Sequence, residues 1–291
     1  MFGGSMVALV TPMRADGEVD YDALERLVEF HISEGTEALV IAGTTGESPT
    51  LRTEEHARLI GEAVRIARKR IPIIAGTGSN STQQTLELTC KVERMGVDGF
   101  LMVVPYYNKP SQEGLYQHFR TVASAVEQPV ILYNVPGRTS CDLLPETVGR
   151  LAAIDNVVGI KEATGCMERL KDLRGHCPES FELYTGDDAT AMDFMLGGGI
   201  GDVSVTANVA PRLMRELCDA ARAGKQAEAE AINEKLMPLH TELFVESNPV
   251  PVKWALNQMG LIESGIRLPL VPLADAHHQR VRDAMKHAGV V

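Results

Sequence analysis

Short runs of Val, Ile and Leu alternate along this chain with longer stretches in which apolar residues recur every three or four positions. The short runs fall at Ser5–Thr11, Ala38–Gly43, Ile71–Gly76, Gly99–Val104, Pro129–Asn134, Val157–Lys161, Glu182–Thr185 and Gly201–Val205. Most are continuously apolar rather than alternating, the pattern of strands buried on both faces. Among the longer stretches, Tyr21–Ser33 carries Leu24, Leu27, Val28 and Ile32 on one helical stripe, and Glu54–Arg68 carries Ala57, Ile60 and Val64. Asp20 and Thr53 stand where N-caps belong, and acidic residues follow Thr53 in the first turn.

Strand–helix alternation of this kind builds parallel βαβ units. The repeat returns roughly every 25 to 30 residues, about eight times, which fits a closed (β/α)8 TIM barrel. An open doubly wound sheet fits less well, because no glycine fingerprint follows the first strand. Beyond the last strand the pattern is helical only, at Pro211–Arg222, Gln226–Glu246, Pro249–Met259 and Ala274–His287. The expected fold is therefore an α/β barrel over residues 1–224 with a small C-terminal α-helical domain over 225–291.

Composition narrows the function classes. The formal net charge of −11 disfavours a phosphate-backbone partner, so nucleic acid is not expected. The five cysteines are odd in number and none are spaced C-x-x-C, which argues against a disulfide framework or a zinc ribbon and for a reducing, cytoplasmic setting. The N-terminal segment lacks the basic start of a signal peptide, and no stretch approaches the ~20 apolar residues of a membrane span.

In a barrel of this type, chemistry gathers where strands end and loops begin. The expected strand ends carry Thr44 and Thr45 in GTTGES (43–48), Tyr106 and Tyr107 in PYYN (105–108), Tyr133 and Arg138 in YNVPGRT (133–139), Lys161 in GIKEATG (159–165), Gly186 before Asp187–Asp188, and Val203. Lys161 poses the sharpest question, since an ammonium at the mouth of an apolar strand either snorkels to water or serves as a nucleophile. Hydroxyls and a phenol around it suit Schiff-base chemistry with a carbonyl substrate. A nearby arginine suits a carboxylate. Each residue also has a structural reading: Thr44 and Thr45 as a cap, Tyr133 as a buried phenol, Arg138 as a loop ion pair. Gly197–Gly201 precedes a strand and reads as a tight turn, and His277–His278 reads as solvated surface without a metal.

These motifs, with SVTANV (204–209) and FVESNPVPVKWAL (244–256), follow one another in an order that resembles the 4-hydroxy-tetrahydrodipicolinate synthase family, within the pyruvate-dependent aldolases that include N-acetylneuraminate lyase. The resemblance runs essentially end to end. It implies that Lys161 forms a Schiff base with pyruvate, that Tyr133 moves protons, and that Thr44 and Tyr107 complete a hydroxyl relay, Tyr107 coming from a neighbouring subunit. It implies that Thr45 holds the pyruvate carboxylate, that Val203 and Gly186 line the pocket, and that Arg138 receives aspartate 4-semialdehyde. No cofactor or metal is implied, and a homotetramer built as a dimer of dimers is.

Two other readings compete. Sialate lyases resemble GSTGE where this chain has GTTGE and lack an arginine at the position of Arg138, so both features favour the synthase. A non-catalytic keto-acid or amino-acid sensor would not need Lys161, Tyr133, Thr44, Tyr107 and Arg138 together. The resemblance also implies a lysine effector site at Ser48, His56, Asn80, Gln84 and Tyr106. There Gln84 replaces the glutamate of lysine-inhibited members, so weak inhibition is expected.

Overall fold

The computed structural model describes residues 2–291. Eight parallel strands, β1 (Gly4–Ala8), β2 (Ala38–Ile41), β3 (Ile73–Gly76), β4 (Gly99–Val103), β5 (Val130–Asn134), β6 (Val157–Glu162), β7 (Glu182–Thr185) and β8 (Gly201–Ser204), pair in chain order. The ring closes where Met6 of β1 lies opposite Val203 of β8. This is the (β/α)8 barrel that the strand–helix rhythm predicts.

Period-two alternation sorts each strand's residues between two apolar layers. Met6, Val40, Ile74, Leu101, Ile131, Tyr184 and Val203 fill the barrel. Val7, Leu39, Ile41, Ile73, Leu132 and Ile160 face the surrounding helices. The helix Tyr21–Glu34 is representative of the outer ring. Asp20 caps it by accepting from the backbone N–H groups of Asp22 and Ala23, Ala23, Leu24, Leu27 and Val28 bury its inner face, and Gly35 ends it in the left-handed region at φ 84°.

Several boundaries shift by a few residues from the sequence reading, three of them informatively. β1 ends at Ala8 rather than Thr11, because the chain then turns toward the eighth βα loop and the Val10 N–H donates to Asn208 Oδ1 at 3.1 Å. Thr53 is the first residue of its helix rather than the cap; Arg52 occupies the cap position, and its N–H donates to Glu55. The helix begun at Gln226 stops at Glu242, four residues early, and a loop carries Asn248 toward the barrel mouth.

The helices Gln226–Glu242, Val250–Gln258 and Asp275–His287 follow the barrel. His277 and His278 are half-buried instead of solvated, with the His278 ring stacked on Trp254 at 4.7 Å between centroids. No helix among the described residues is long and apolar enough to cross a membrane.

Candidate active site

Lys161 lies near the C-terminal end of β6 and is only 4% exposed. It does not snorkel. Strand register places it between Tyr133 of β5 and Tyr184 of β7, all three pointing into the barrel. Its Nζ stands 4.4 Å from the centroid of the Tyr133 ring, where the π face favours a cation. Tyr184 is no rival to Tyr133 as a proton carrier. Its hydroxyl donates to Glu182, with the carbonyl of Phe2 also near, toward the opposite end of the barrel, and burial pushes its pKa further up.

Glu162 follows Lys161 directly, and alternation sends its side chain to the other face of the strand. There its carboxylate accepts from Asn134 Nδ2 at 3.0 Å and from the Thr164 N–H at 2.9 Å. Burial raises its pKa against these bonds. Its carboxylate is therefore tied into the β5–β6 loops and does not face the amine.

The cavity above Lys161 holds about 120 Å³ and is lined by Thr44, Thr45, Tyr133, Arg138, Gly186, Asp187, Val205 and Asn248 among others. Gly186 leaves room for the lysine stem as it lies: a Cβ built on it would stand 2.2 Å from Lys161 Cε, so the lysine would have to move. Val203 belongs to the buried barrel layer below the cavity, and at β8 the cavity wall is Val205, two residues further on.

Thr45 is buried, and its Oγ1 accepts from Asn248 Nδ2 at 2.9 Å. Arg138 projects from the short helix Pro136–Thr139, and its guanidinium donates to the backbone carbonyl of the same Asn248 at 3.2 Å. One turn beyond Asn248, Lys253 forms a buried ion pair with Glu47 of the GTTGES loop. Burial lowers the pKa of this lysine while Glu47 pulls it back up. Glu47 holds a left-handed backbone at φ 56°, and its other oxygen accepts from the Arg267 N–H. Removing either partner would strand a buried charge. The C-terminal helical segment thus fastens the loop that carries Thr44 and Thr45.

A buried polar cluster supports the opposite wall. Asp188 Oδ2 accepts from the backbone N–H groups of Val205 and Thr206, each at 3.0 Å, and so ties the loop after β7 to the loop after β8. Asp202, fully buried on β8, faces it. Burial first, and then the charge of Asp188, push Asp202 well above the usual carboxylate range. For Asp188 burial acts in the same direction but is outweighed, with His240 first and the Thr206 N–H among the groups that lower it. The two carboxyls are thus pushed in opposite directions, Asp202 up and Asp188 down.

Tyr107 does not reach this cavity. It is 88% exposed and sits at φ 75°, a left-handed backbone that is strained for an aromatic residue. A second, larger cavity of about 560 Å³ begins at Thr44 and Arg138 and gathers Ser48, His56, Gln84 and Tyr106. Asn80 is not among the residues lining it, although its neighbour Ser79 is; the Asn80 carbonyl accepts from Asn108. His56 is buried with Nε2 against the Gly76 carbonyl at 2.8 Å, and burial lowers its pKa. Glu87 also lines this cavity, one helical turn after Gln84.

Sequence reasoning missed Asn248, Lys253, Asp188, Val205 and Glu87. The first two lie in the quoted NPVPVK stretch, but nothing in their spacing reveals contacts with Thr45 and Glu47 some two hundred positions away.

The chain also resembles known proteins along its whole length. Residues 1–288 match the dihydrodipicolinate synthetase family. A 4-hydroxy-tetrahydrodipicolinate synthase of Alcanivorax borkumensis is 59% identical over 291 residues, covering 100% of this chain and 99% of that one. Among solved structures, a chloride-inhibited dihydrodipicolinate synthase from Acinetobacter baumannii complexed with pyruvate superposes with a TM-score of 0.98 at 54% identity, covering 100% of both chains. A Cyanidioschyzon merolae relative with lysine bound superposes at 0.96 with 40% identity, covering 100% of this chain and 99% of that one.

Proposed function

This chain belongs to the dihydrodipicolinate synthetase family, and from that premise we infer that it is a lyase joining pyruvate to L-aspartate 4-semialdehyde. The product is 4-hydroxy-tetrahydrodipicolinate, in the diaminopimelate route of lysine biosynthesis. The observation that carries this reading is the buried Lys161 amine 4.4 Å from the Tyr133 ring, in one small cavity with Thr45 and Arg138.

The Lys161 amine adds to the pyruvate ketone, and loss of water leaves an iminium. The iminium draws electrons from the adjacent methyl group, which gives up a proton and becomes an enamine carbon. That carbon attacks the aldehyde of the semialdehyde, and the new alkoxide takes a proton. The semialdehyde amine then adds to the iminium carbon, closes the ring and expels the Lys161 amine. Tyr133 is the phenol placed to carry these protons. Thr45 and the backbone beside Thr44 receive the pyruvate carboxylate, and Arg138 receives that of the semialdehyde as a planar fork. Gly186 gives room to the imine, and Val203 supports the pocket from below.

Tyr107 serves a neighbouring copy in this reading. Its exposure and left-handed backbone support a residue held outward for a partner, within a homotetramer of two tight dimers. The larger cavity beside Thr44 is the candidate lysine effector site, with Ser48, His56, Gln84 and Tyr106 in its wall and Asn80 next in sequence to its lining residue Ser79.

Borohydride reduction in the presence of pyruvate tests the chemistry. One pyruvate-derived adduct on the peptide carrying Lys161, together with turnover when L-aspartate 4-semialdehyde is supplied, is the expected result. An adduct elsewhere, or none, would sink the mechanism.

A further inference from the structure

The contact between Asn248 and Thr45 has a direction. Asn248 Nδ2 donates to Thr45 Oγ1 at 2.9 Å, and both residues are buried in the wall of the Lys161 cavity. A threonine hydroxyl has one hydrogen and two lone pairs. With one lone pair taken by the amide, the hydroxyl hydrogen is left to point away from Asn248. A carboxylate in the cavity can only accept, so it needs that hydrogen. The other end of the amide, Asn248 Oδ1, is buried with no hydrogen-bond partner among the described residues. The reversed amide would bury two N–H donors at that spot and consume the threonine hydrogen.

We propose that Asn248 is a positioning residue that turns the Thr45 hydroxyl hydrogen toward the carboxylate of the bound keto acid. This rests on the reading above, in which Thr45 receives the pyruvate carboxylate. Asn248 also meets the second substrate subsite, but through its backbone: its carbonyl accepts from Arg138 at 3.2 Å. Side chain and main chain of one residue thus serve different carboxylates. Substituting the side chain therefore acts on one substrate and spares the other.

The test measures kcat and both KM values for wild type, Asn248→Ala, Asn248→Asp, Thr45→Val and the Thr45→Val/Asn248→Ala double variant, with the borohydride trap run on wild type. Asn248→Ala is expected to raise pyruvate KM about 5- to 20-fold, the scale of one misdirected hydrogen bond. Asn248→Asp is expected to raise it at least about 30-fold, because a carboxylate takes the threonine hydrogen and repels the substrate's charge. The semialdehyde KM stays within about threefold in both. In the Thr45→Val background, Asn248→Ala changes pyruvate KM by less than about twofold, since the hydroxyl it acts through is gone.

An unchanged pyruvate KM in the variants overturns the proposal. So does an Asn248→Ala effect that persists undiminished without the hydroxyl, which would mark a merely structural role. If the alanine variant does not fold, the near-isosteric Asn248→Asp decides on the same split between the two KM values. If wild type traps no pyruvate on Lys161, the reading of the site falls and the proposal with it. If wild type traps it and the KM values do not move, only the proposal falls.

Discussion

Gly186 and Lys161 exclude each other's growth: a methyl group on Gly186 would sit 2.2 Å from Lys161 Cε and 3.1 Å from its Cγ. The loop after β7 therefore decides where the nucleophile's stem lies. Gly186→Ala should displace Lys161 from beside Tyr133 and lower pyruvate trapping at least about 100-fold. Overpacking of this kind costs about 1–3 kcal/mol, so the variant should still fold. Circular dichroism and the borohydride adduct, measured on the same sample, check both halves. Normal trapping by a folded Gly186→Ala protein would mean that Lys161 reaches pyruvate from another rotamer.

Arg138 should matter for one substrate. It is exposed on a four-residue helix and, among the described residues, its side chain is hydrogen-bonded only to the Asn248 carbonyl, so its removal disturbs little of the core. Arg138→Ala should cost about 2–4 kcal/mol of transition-state binding, or roughly 30- to 1000-fold in kcat/KM for the semialdehyde. Pyruvate trapping should stay near wild type. Equal loss of trapping and turnover would assign Arg138 to pyruvate or to the fold.

Tyr107 gives a test of site sharing. Tyr107→Phe and Lys161→Ala subunits should each be nearly inactive alone. In a mixed dimer, the subunit that keeps Lys161 receives an intact Tyr107 from its partner. Full random exchange should therefore restore about a quarter of wild-type activity, since half the dimers are mixed and each has one complete site. Subunit exchange verified by native mass spectrometry without recovered activity would place Tyr107 outside the neighbour's site.

The Asp188–Asp202 pair predicts a pH-dependent stability difference. Asp202 keeps its proton in the folded state to a higher pH than in the unfolded chain. Its contribution is therefore complete below the ordinary aspartate range near pH 4 and is lost as pH rises toward its folded pKa. Asp202→Asn is neutral at every pH and has no proton to lose. Relative to wild type, this variant should gain stability with rising pH, from near zero at pH 4 to about 1–3 kcal/mol by pH 8. Denaturant melts across that range measure it. A difference independent of pH would mean that the fold does not raise the Asp202 pKa. Asp188→Ala, in contrast, should destabilise at every pH in the range, because the Val205 and Thr206 N–H groups lose their acceptor.

The barrel was legible because its evidence is local. Most strands are short runs rich in apolar residues and most helices carry an apolar stripe, so position and type follow without knowing any partner. Lys161 and Glu162 show the same power at single-residue scale: alternation alone separates the inward amine from the outward carboxyl. Contacts across the chain were not legible. Asn248 and Lys253 hold Thr45 and Glu47 from a helical segment whose own pattern shows only amphipathic helices, and no local signal marks those pairs. Gly186 reads as an ordinary loop glycine until the neighbouring strand places a lysine stem against it. Strand ends were uncertain for the same reason, since Val10 leaves the ladder for Asn208, 198 positions on.

The larger cavity sets the last expectation. A free lysine brings a carboxylate, an α-ammonium and a side-chain ammonium, and a strong site must answer all three charges. Tyr106 and Ser48 offer hydroxyls. His56 is buried against the Gly76 carbonyl and lowered in pKa, so it offers no charge at neutral pH. Gln84 is exposed and neutral, and its Oε1 already accepts from Ser79. Glu87 supplies a carboxylate in the same wall, but Gln83 donates to it at 2.8 Å and it lies one turn further along the helix. Replacing a charged acceptor by Gln84 costs about 1–2 kcal/mol, or roughly 5- to 30-fold in affinity. Millimolar lysine should therefore inhibit wild type weakly, Gln84→Glu should inhibit more tightly by about that factor, and Glu87→Gln should abolish the residual response. Calorimetric titration and initial rates on the three proteins check it. Tight inhibition of wild type that survives Glu87→Gln would show that neither side chain sets the response.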